Sequence, residues 1–180
     1  MICPACDAGL EPGLADWHLR CPRCSYEGSS LQPHIREQAA GGDLDEGFRE
    51  EALSELRQAN FQALVARILA HLDRTAGIRP RLLDVGCAHG WFLQAASRDF
   101  DAFGIEPDAV TAQQARQRAP AVREGFFPDV LEPGERFDVI VFNDVLEHIP
   151  DLPGTFAACR EHLRPGGWLV VNAPSRRGAI

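Results

Sequence analysis

The chain contains no lysine: all 18 of its basic residues are arginine, set against 26 acidic ones for a formal net charge of −8. Those arginines are scattered. The sequence therefore lacks the continuous basic stripe that neutralises a phosphate backbone, and a nucleic-acid partner is disfavoured. It also has no apolar run approaching the roughly 18 to 20 residues needed to cross a bilayer, so no membrane partner is expected. Its first residues, MICPAC, have neither the basic start nor the apolar core of a secretion signal, and the sequence reads as cytoplasmic. At 180 residues and 45% hydrophobic, the chain suits one ordinary domain with a real core plus a small appendage.

The appendage is written in cysteine. Two CPxC elements, Cys3 with Cys6 and Cys21 with Cys24, lie near the N-terminus. A pair of thiolates two residues apart can grip one metal from a tight turn, and two such turns supply the four tetrahedral sulfur ligands that Zn²⁺ prefers. Redox-active dithiols or disulfides are the alternatives, disfavoured where thiols are kept reduced. His18 and His34 read as surface or packing residues rather than ligands. So small a segment cannot fold on its own core, and the metal is expected to be part of its stability. The boundaries expected are 1–36 for this zinc ribbon, 37–45 for a linker marked by Gly41 and Gly42, and 46–180 for the rest.

From Glu46 to about Arg74 runs the longest helical pattern. Leu53, Leu56, Phe61, Leu64, Val65, Ile68, Leu69 and Leu72 fall mostly on three- and four-residue spacings. Asp43 or Asp45 would cap its start and Gly77 its end, while Asn60 divides it into two helices.

Residues 81–93, RLLDVGCAHGWFL, are the stretch around which the rest is organised. An apolar run stops at Gly86, passes through a small-residue turn with Gly90, and resumes at helical spacing from about His89 to Arg98, which reads as strand, tight turn and helix N-terminus. The missing Cβ at both glycines would let the backbone approach a nucleotide-like ligand. A dinucleotide fingerprint, G-x-G-x-x-G, does not fit: the positions carry Gly86, Ala88 and Trp91.

Four further segments complete the α/β alternation. DAFGIEPD is a second strand ending at Glu106, with Asp108 as the cap of the next helix. A carboxylate at that strand end can accept hydrogen bonds from both hydroxyls of a ribose. AVREGFF, residues 121–127, is a short third strand. FDVIVFNDVLEHIPD carries the continuously apolar Val139 to Phe142 of a central strand covered on both faces, ending at the polar Asn143 and Asp144. LRPGG then turns out of a helix into a fifth strand, WLVVNAP.

Taken together, LLDVGCAHG, Glu106 and the EHIPD stretch resemble the class I S-adenosylmethionine-dependent methyltransferases of small-molecule type, over roughly residues 79–174. CxxC pairs like these resemble the N-terminal zinc ribbons of several methyltransferase groups. The family's glycine-rich core is usually GxGxG, and Ala88 departs from it at the middle position. The resemblance implies a Rossmann-like parallel sheet in the order 3-2-1-4-5 with the family's last strands missing, and S-adenosylmethionine or S-adenosylhomocysteine as ligand. It implies cofactor contacts from Asp84, Gly86, Cys87, Ala88, Gly90, Glu106, Phe126, Phe127 and Asn143, with His148 touching the acceptor or removing its proton and the helix half near Phe48 as a lid over the substrate side. Cys87 reads as a packing residue rather than a catalytic thiol, and one of the two phenylalanines reads as plain core. The function implied is in-line methyl transfer to a small-molecule acceptor. The alternatives are a module that binds cofactor or partner without catalysis, and an RNA methyltransferase guided by the ribbon. Strand five would present an open apolar edge, a route to self-association.

Overall fold

The computed structural model describes residues 1–31, 46–73 and 78–174, the segment 46–55 by its backbone alone. The expected linker, its glycines, His34, the capping residues Asp43 and Asp45, Gly77 and the Phe48 side chain lie outside the described residues.

The N-terminal unit is a three-stranded antiparallel sheet of β1 (Glu11–Pro12), β2 (His18–Arg20) and β3 (Glu27–Ser29), in that order. Its strands contribute no fully buried residue. The buried residues of this unit are Cys3 and Cys21, at 0% and 1% exposure.

Helix α1 (Glu46–His71) is continuous, so Asn60 does not divide it. Asparagine has only a mild helix penalty, and the apolar face either side of it holds the helix together. The expected stripe is largely inward, with Val65 and Ile68 buried and Phe61, Leu64, Leu69 and Leu72 packed beside them. Leu56 departs from it and is 61% exposed.

After α1 come β4 (Arg81–Val85), α2 (Trp91–Ala96), β5 (Asp101–Glu106), α3 (Ala109–Arg118), β6 (Val122–Glu124), β7 (Phe137–Asn143), a 3-10 turn (Leu146–His148), α4 (Leu152–His162) and β8 (Leu163–Asn172). The strands form one parallel sheet in the order β6-β5-β4-β7-β8, which is the expected 3-2-1-4-5. The order reverses between β4 and β7, the point where ligands collect in open α/β sheets.

Alternation along these strands sorts the core into two layers. Leu82, Val139 and Val141 face α1 and α2 with Phe92, Ala96 and Phe100. Leu83, Val85, Ile140 and Phe142 face the other side with Cys159 of α4. The same period puts Asp84 and Asn143 on the α1 side, at the ends of their strands.

Several boundaries differ from the sequence reading. Helix α2 has six residues, starting at Trp91 and closed by Ser97, whose hydroxyl bonds back to the Leu93 carbonyl at 2.9 Å. The third strand ends at Glu124 because Gly125, at φ 132, turns the chain. LRPGG is a bulge inside β8: Leu163 lies opposite Phe137, yet Trp168 lies opposite Val139. Gly167 makes this possible, since a Cβ there would stand 2.9 Å from both the Arg164 and Asp138 carbonyl oxygens.

Candidate active site

The turn after β4 is built from three residues with positive φ: Gly86 at 69°, Ala88 at 45° and Gly90 at 80°. Two amides, those of Gly86 and Cys87, donate to the Ile105 carbonyl at 2.8 and 3.0 Å, fastening the turn to β5. The third, Ala88, donates to Glu106 Oε2 at 2.9 Å, while Glu106 Oε1 accepts from the Asp108 amide at 3.0 Å. Glu106 is thus fixed in place with further lone pairs on both oxygens. Asp108 caps α3 as expected, accepting from the Thr111 amide at 2.8 Å.

The glycines are required by protein as much as by any ligand. A Cβ on Gly86 would meet Val145 Cγ2 at 2.6 Å, and one on Gly90 would sit 3.1 Å from the Ala115 backbone of α3. Gly90 is therefore a packing contact between loop and helix. On the outer side Arg118 donates to the His89 carbonyl at 3.0 Å and stacks 3.8 Å over the Trp91 ring.

A cleft of about 920 Å³ opens between this turn, the ends of β7 and β8, and α1. Asp84, Gly86, Cys87, Ala88 and Asn143 all line it. Asp84 is 1% exposed, and burial pushes its carboxyl well above the ordinary carboxylate range, with the Glu106 charge adding to the effect. Its Oδ1 has no hydrogen-bond partner, nor has either side-chain polar atom of Asn143. Buried polar groups are almost always paired, so these three atoms mark a place for a polar ligand.

Gly90 and Glu106 are not part of that lining, and Cys87 reaches it as a buried residue. The Cys87 thiol is pushed up by burial and then by the Asp84 and Glu106 charges, and a Cβ on Gly104 would come within 2.8 Å of its sulfur, which marks a packing residue. Phe127 packs edge-on against Phe142 and His162, in the layer opposite the cleft. Phe126 is 53% exposed. His148 is exposed on the 3-10 turn, and neither it nor the two phenylalanines lines the cleft.

Sequence reasoning missed the opposite wall. Arg57, Asn60, Phe61, Arg67 and His71 of α1 line the cleft together with Trp168 of β8. Their spacing of three and four residues was the available signal.

At the N-terminus, the four sulfurs of Cys3, Cys6, Cys21 and Cys24 lie within 4.8 Å of one another, with Cys3 to Cys24 at 3.6 Å and Cys6 to Cys21 at 3.5 Å. A tetrahedral zinc with metal–sulfur bonds of ~2.3 Å has edges of about 3.8 Å, so the cluster fits that ion. Its two halves repeat each other. Asp7 and Ser25, each following a second cysteine, have φ of 58° and 62°, and their amides return to the Cys3 and Cys21 carbonyls at 3.0 and 3.1 Å. The thiols are unequal. Burial raises Cys21, but amide donors from Cys24 and Arg23 outweigh it and bring it to about 6. The Tyr26 amide favours the Cys24 thiolate, yet burial and the neighbouring sulfurs push it up to about 12. His18 is occupied elsewhere: its Nδ1 accepts from the Leu14 amide at 2.7 Å and its Nε2 lies 3.6 Å from Glu27.

The comparisons agree with this geometry. The family described as "Methyltransferase domain" matches residues 48–179. The chain belongs to that family, and its fold is that of the class I S-adenosylmethionine-dependent methyltransferases. A ubiquinone biosynthesis O-methyltransferase from Cereibacter sphaeroides is 32% identical over 142 residues, covering 69% of this chain and 55% of the relative. Among solved structures, S-adenosylmethionine-bound CalS10, an amino pentose methyltransferase from Micromonospora echinaspora, superposes with TM-score 0.56 at 27% identity, over 69% of this chain and 56% of that one. A methyltransferase from Archaeoglobus fulgidus shares the fold, with TM-score 0.58 at 18% identity over 74% of this chain and 60% of that one. The chain spans about half the length of the curated relatives it matches.

Proposed function

We propose that this chain transfers a methyl group from S-adenosylmethionine to a small-molecule acceptor, and that residues 1–36 form a zinc ribbon joined by a 37–45 linker to the catalytic unit of 46–180. The observation that carries the reading is the set of buried side-chain polar atoms with no hydrogen-bond partner, on Asp84 and Asn143, at the point where strand order reverses. When bound, S-adenosylmethionine supplies an activated methyl group on its sulfonium. Glu106 would accept the ribose hydroxyls, since the protein already fixes its carboxylate through Ala88 and Asp108. Asp84 would face the cofactor's ammonium, which satisfies Oδ1 and favours the ionised carboxylate. Asn143 can both donate and accept at the methionine end. Arg57, one helical turn beyond Phe61, supplies a cation for the cofactor carboxylate at the same end of the cleft.

The sulfonium needs little help, so the protein's work is to align the acceptor with the methyl group and exclude water. His148, just beyond Val145 in the chain, would contact an acceptor projecting from the cleft mouth. Four sulfurs at zinc-ligand separation support the ribbon. Among the described residues no helix is long and apolar enough to cross a membrane. Self-association through β8 is supported by its edge position in the sheet.

Calorimetry with S-adenosylhomocysteine, with NAD as control, tests the reading. Binding that weakens at least tenfold in Glu106→Ala, about 1.4 kcal/mol, is expected. A folded wild-type protein that binds neither ligand, or NAD in preference, would overturn it.

A further inference from the structure

The cleft extends along α1 and β8 as far as His71 and Trp168, and its charged residues are sorted by wall. The acidic residues of its lining, Asp84 and Asp144, both stand at the carboxyl ends of the strands. Along α1 the lining instead carries Arg57, Arg67 and His71, and residues 56–72 include no carboxylate at all. The facing strand β8 has none either. This wall carries arginine and no carboxylate in a chain of net charge −8.

Helix α1 runs antiparallel to the strands. Phe61 meets Phe92 beside the glycine turn, with ring centroids 5.6 Å apart, whereas His71 meets Trp168 at 5.4 Å. Trp168 is level with Val139 and Asn172 with Asn143. Four strand residues therefore separate the His71 and Trp168 level from the Asn143 level, a distance of about 13 Å. Between them the cleft floor is apolar, formed by Leu64, Ile68 and Val170. At the lower end the His71 Nδ1 lies 2.8 Å from the Arg67 carbonyl, which can only accept, so Nδ1 carries the hydrogen and fixes the ring against its own helix. Among the described residues Arg67 has no carboxylate partner.

We propose that the lower half of the cleft, between α1 and β8, is an acceptor channel for an elongated molecule whose anionic end is held by Arg67 beside His71 and Trp168. Its apolar middle lies on Leu64, Ile68 and Val170, and the group to be methylated reaches the Asn143 level about 13 Å away. This rests on the methyltransferase reading above. The oxyanion is a carboxylate or a phosphate monoester, since a guanidinium at the end of an apolar groove suits both.

The test uses the full zinc-loaded chain saturated with S-adenosylhomocysteine, titrated with ω-hydroxydodecanoate, its methyl ester, ω-hydroxydodecyl phosphate and the short γ-hydroxybutyrate. A long anionic probe is expected to bind at least tenfold more tightly than both the ester and the short acid. The tighter of carboxylate and phosphate identifies the end group. Arg67→Gln should erase the preference for the anion while leaving S-adenosylhomocysteine affinity unchanged. Trp168→Ala should weaken acid and ester alike. Equal binding of acid and ester, an anion preference that survives in Arg67→Gln, or no binding of any long probe by protein that does bind S-adenosylhomocysteine overturns the channel. Failure to bind S-adenosylhomocysteine overturns the underlying methyltransferase reading, and the channel with it.

Discussion

Glu106 and Ala88 are joined across two strand ends, the carboxylate of the first accepting the amide hydrogen of the second at 2.9 Å. One side chain thereby sets both the position of the loop and the orientation of the proposed ribose acceptor. Replacing it with alanine leaves the Ala88 and Asp108 amides to water and costs about 1 to 3 kcal/mol of stability, because hydrogen bonds to charged groups are among the stronger ones. Glutamine keeps one acceptor oxygen, so Glu106→Gln should lose less stability than Glu106→Ala and yet still bind S-adenosylhomocysteine less tightly. Urea denaturation and calorimetry on the two variants separate the loop's role from the ligand's.

Asp84 is predicted to oppose folding when ionised. Its carboxyl is raised in the folded protein, so the folded state holds the proton more tightly than the unfolded chain does. The sign follows: this contribution to stability is intact below the ordinary carboxylate range and declines as pH rises from there toward the raised value. Asp84→Asn removes that slope. The variant should be more stable than wild type at mildly alkaline pH without ligand, measured by urea denaturation. It should also bind S-adenosylhomocysteine at least tenfold more weakly. A variant less stable than wild type under those conditions would show that the carboxylate is satisfied in the folded protein.

The positions of the strands and the N-terminal cysteine spacing were legible in the sequence because each depends on local pattern, whereas the strand order followed from the family resemblance. A short continuous apolar run such as Val139 to Phe142, closed by polar Asn143 and Asp144, suits a strand covered on both faces, and CPxC spacing admits few geometries. The wall formed by α1 was not legible. Nothing in RQANFQALVARILAH distinguishes a face packed on the sheet from one lining a cleft, and the difference rests on where β8 lies across the fold. Phe127 was ambiguous for a similar reason: the turn at Gly125 decides which phenylalanine points inward, and its φ of 132° is a property of the folded chain. The break expected at Asn60 failed because tertiary burial of Phe61, Leu64 and Val65 outweighs a small local propensity.

Ala88 holds a φ of 45° with a side chain that disfavours it. Restoring glycine relieves about 1 kcal/mol of backbone strain, offset in part by the greater freedom of glycine in the unfolded chain. Ala88→Gly should raise stability by about 0.5 kcal/mol and leave the Glu106 hydrogen bond in place. Thermal denaturation reads the first effect, and unchanged or tighter S-adenosylhomocysteine binding the second.

Glu135 ties β4 to the loop before β7. It pairs with Arg81 at 3.1 Å and Arg123 at 2.7 Å, with only 8% of its side chain exposed. Burial alone would raise its carboxyl; the Arg123 hydrogen bond, the Glu132 amide and the Arg81 contact outweigh that and lower it. A lowered carboxyl contributes stability that is present above the ordinary glutamate value of 4.5 and is lost as pH falls through the folded value. Glu135→Gln should cost about 2 kcal/mol at neutral pH, discounted for the partial exposure of both arginines. The difference from wild type should shrink in acid, as pH-dependent urea denaturation would show.

The ribbon's dependence on metal can be separated from the rest of the fold. β1 to β3 contribute no buried side chains, while the parallel sheet rests on two apolar layers that include none of the first 31 residues. A strong chelator at neutral pH should therefore release one zinc per chain and unfold the ribbon, leaving the sheet and S-adenosylhomocysteine binding intact. Cys21→Ser should do the same without chelator, since a hydroxyl is a poor ligand where a thiolate is required. Metal content, thiol titration and amide exchange at Leu19 and Gly28, which face each other across β2 and β3, report the ribbon. Exchange at Leu83 and Ile140 reports the sheet. If chelation opened both sets of amides together, ribbon and sheet would be one cooperative unit, and zinc would stabilise the cofactor site itself.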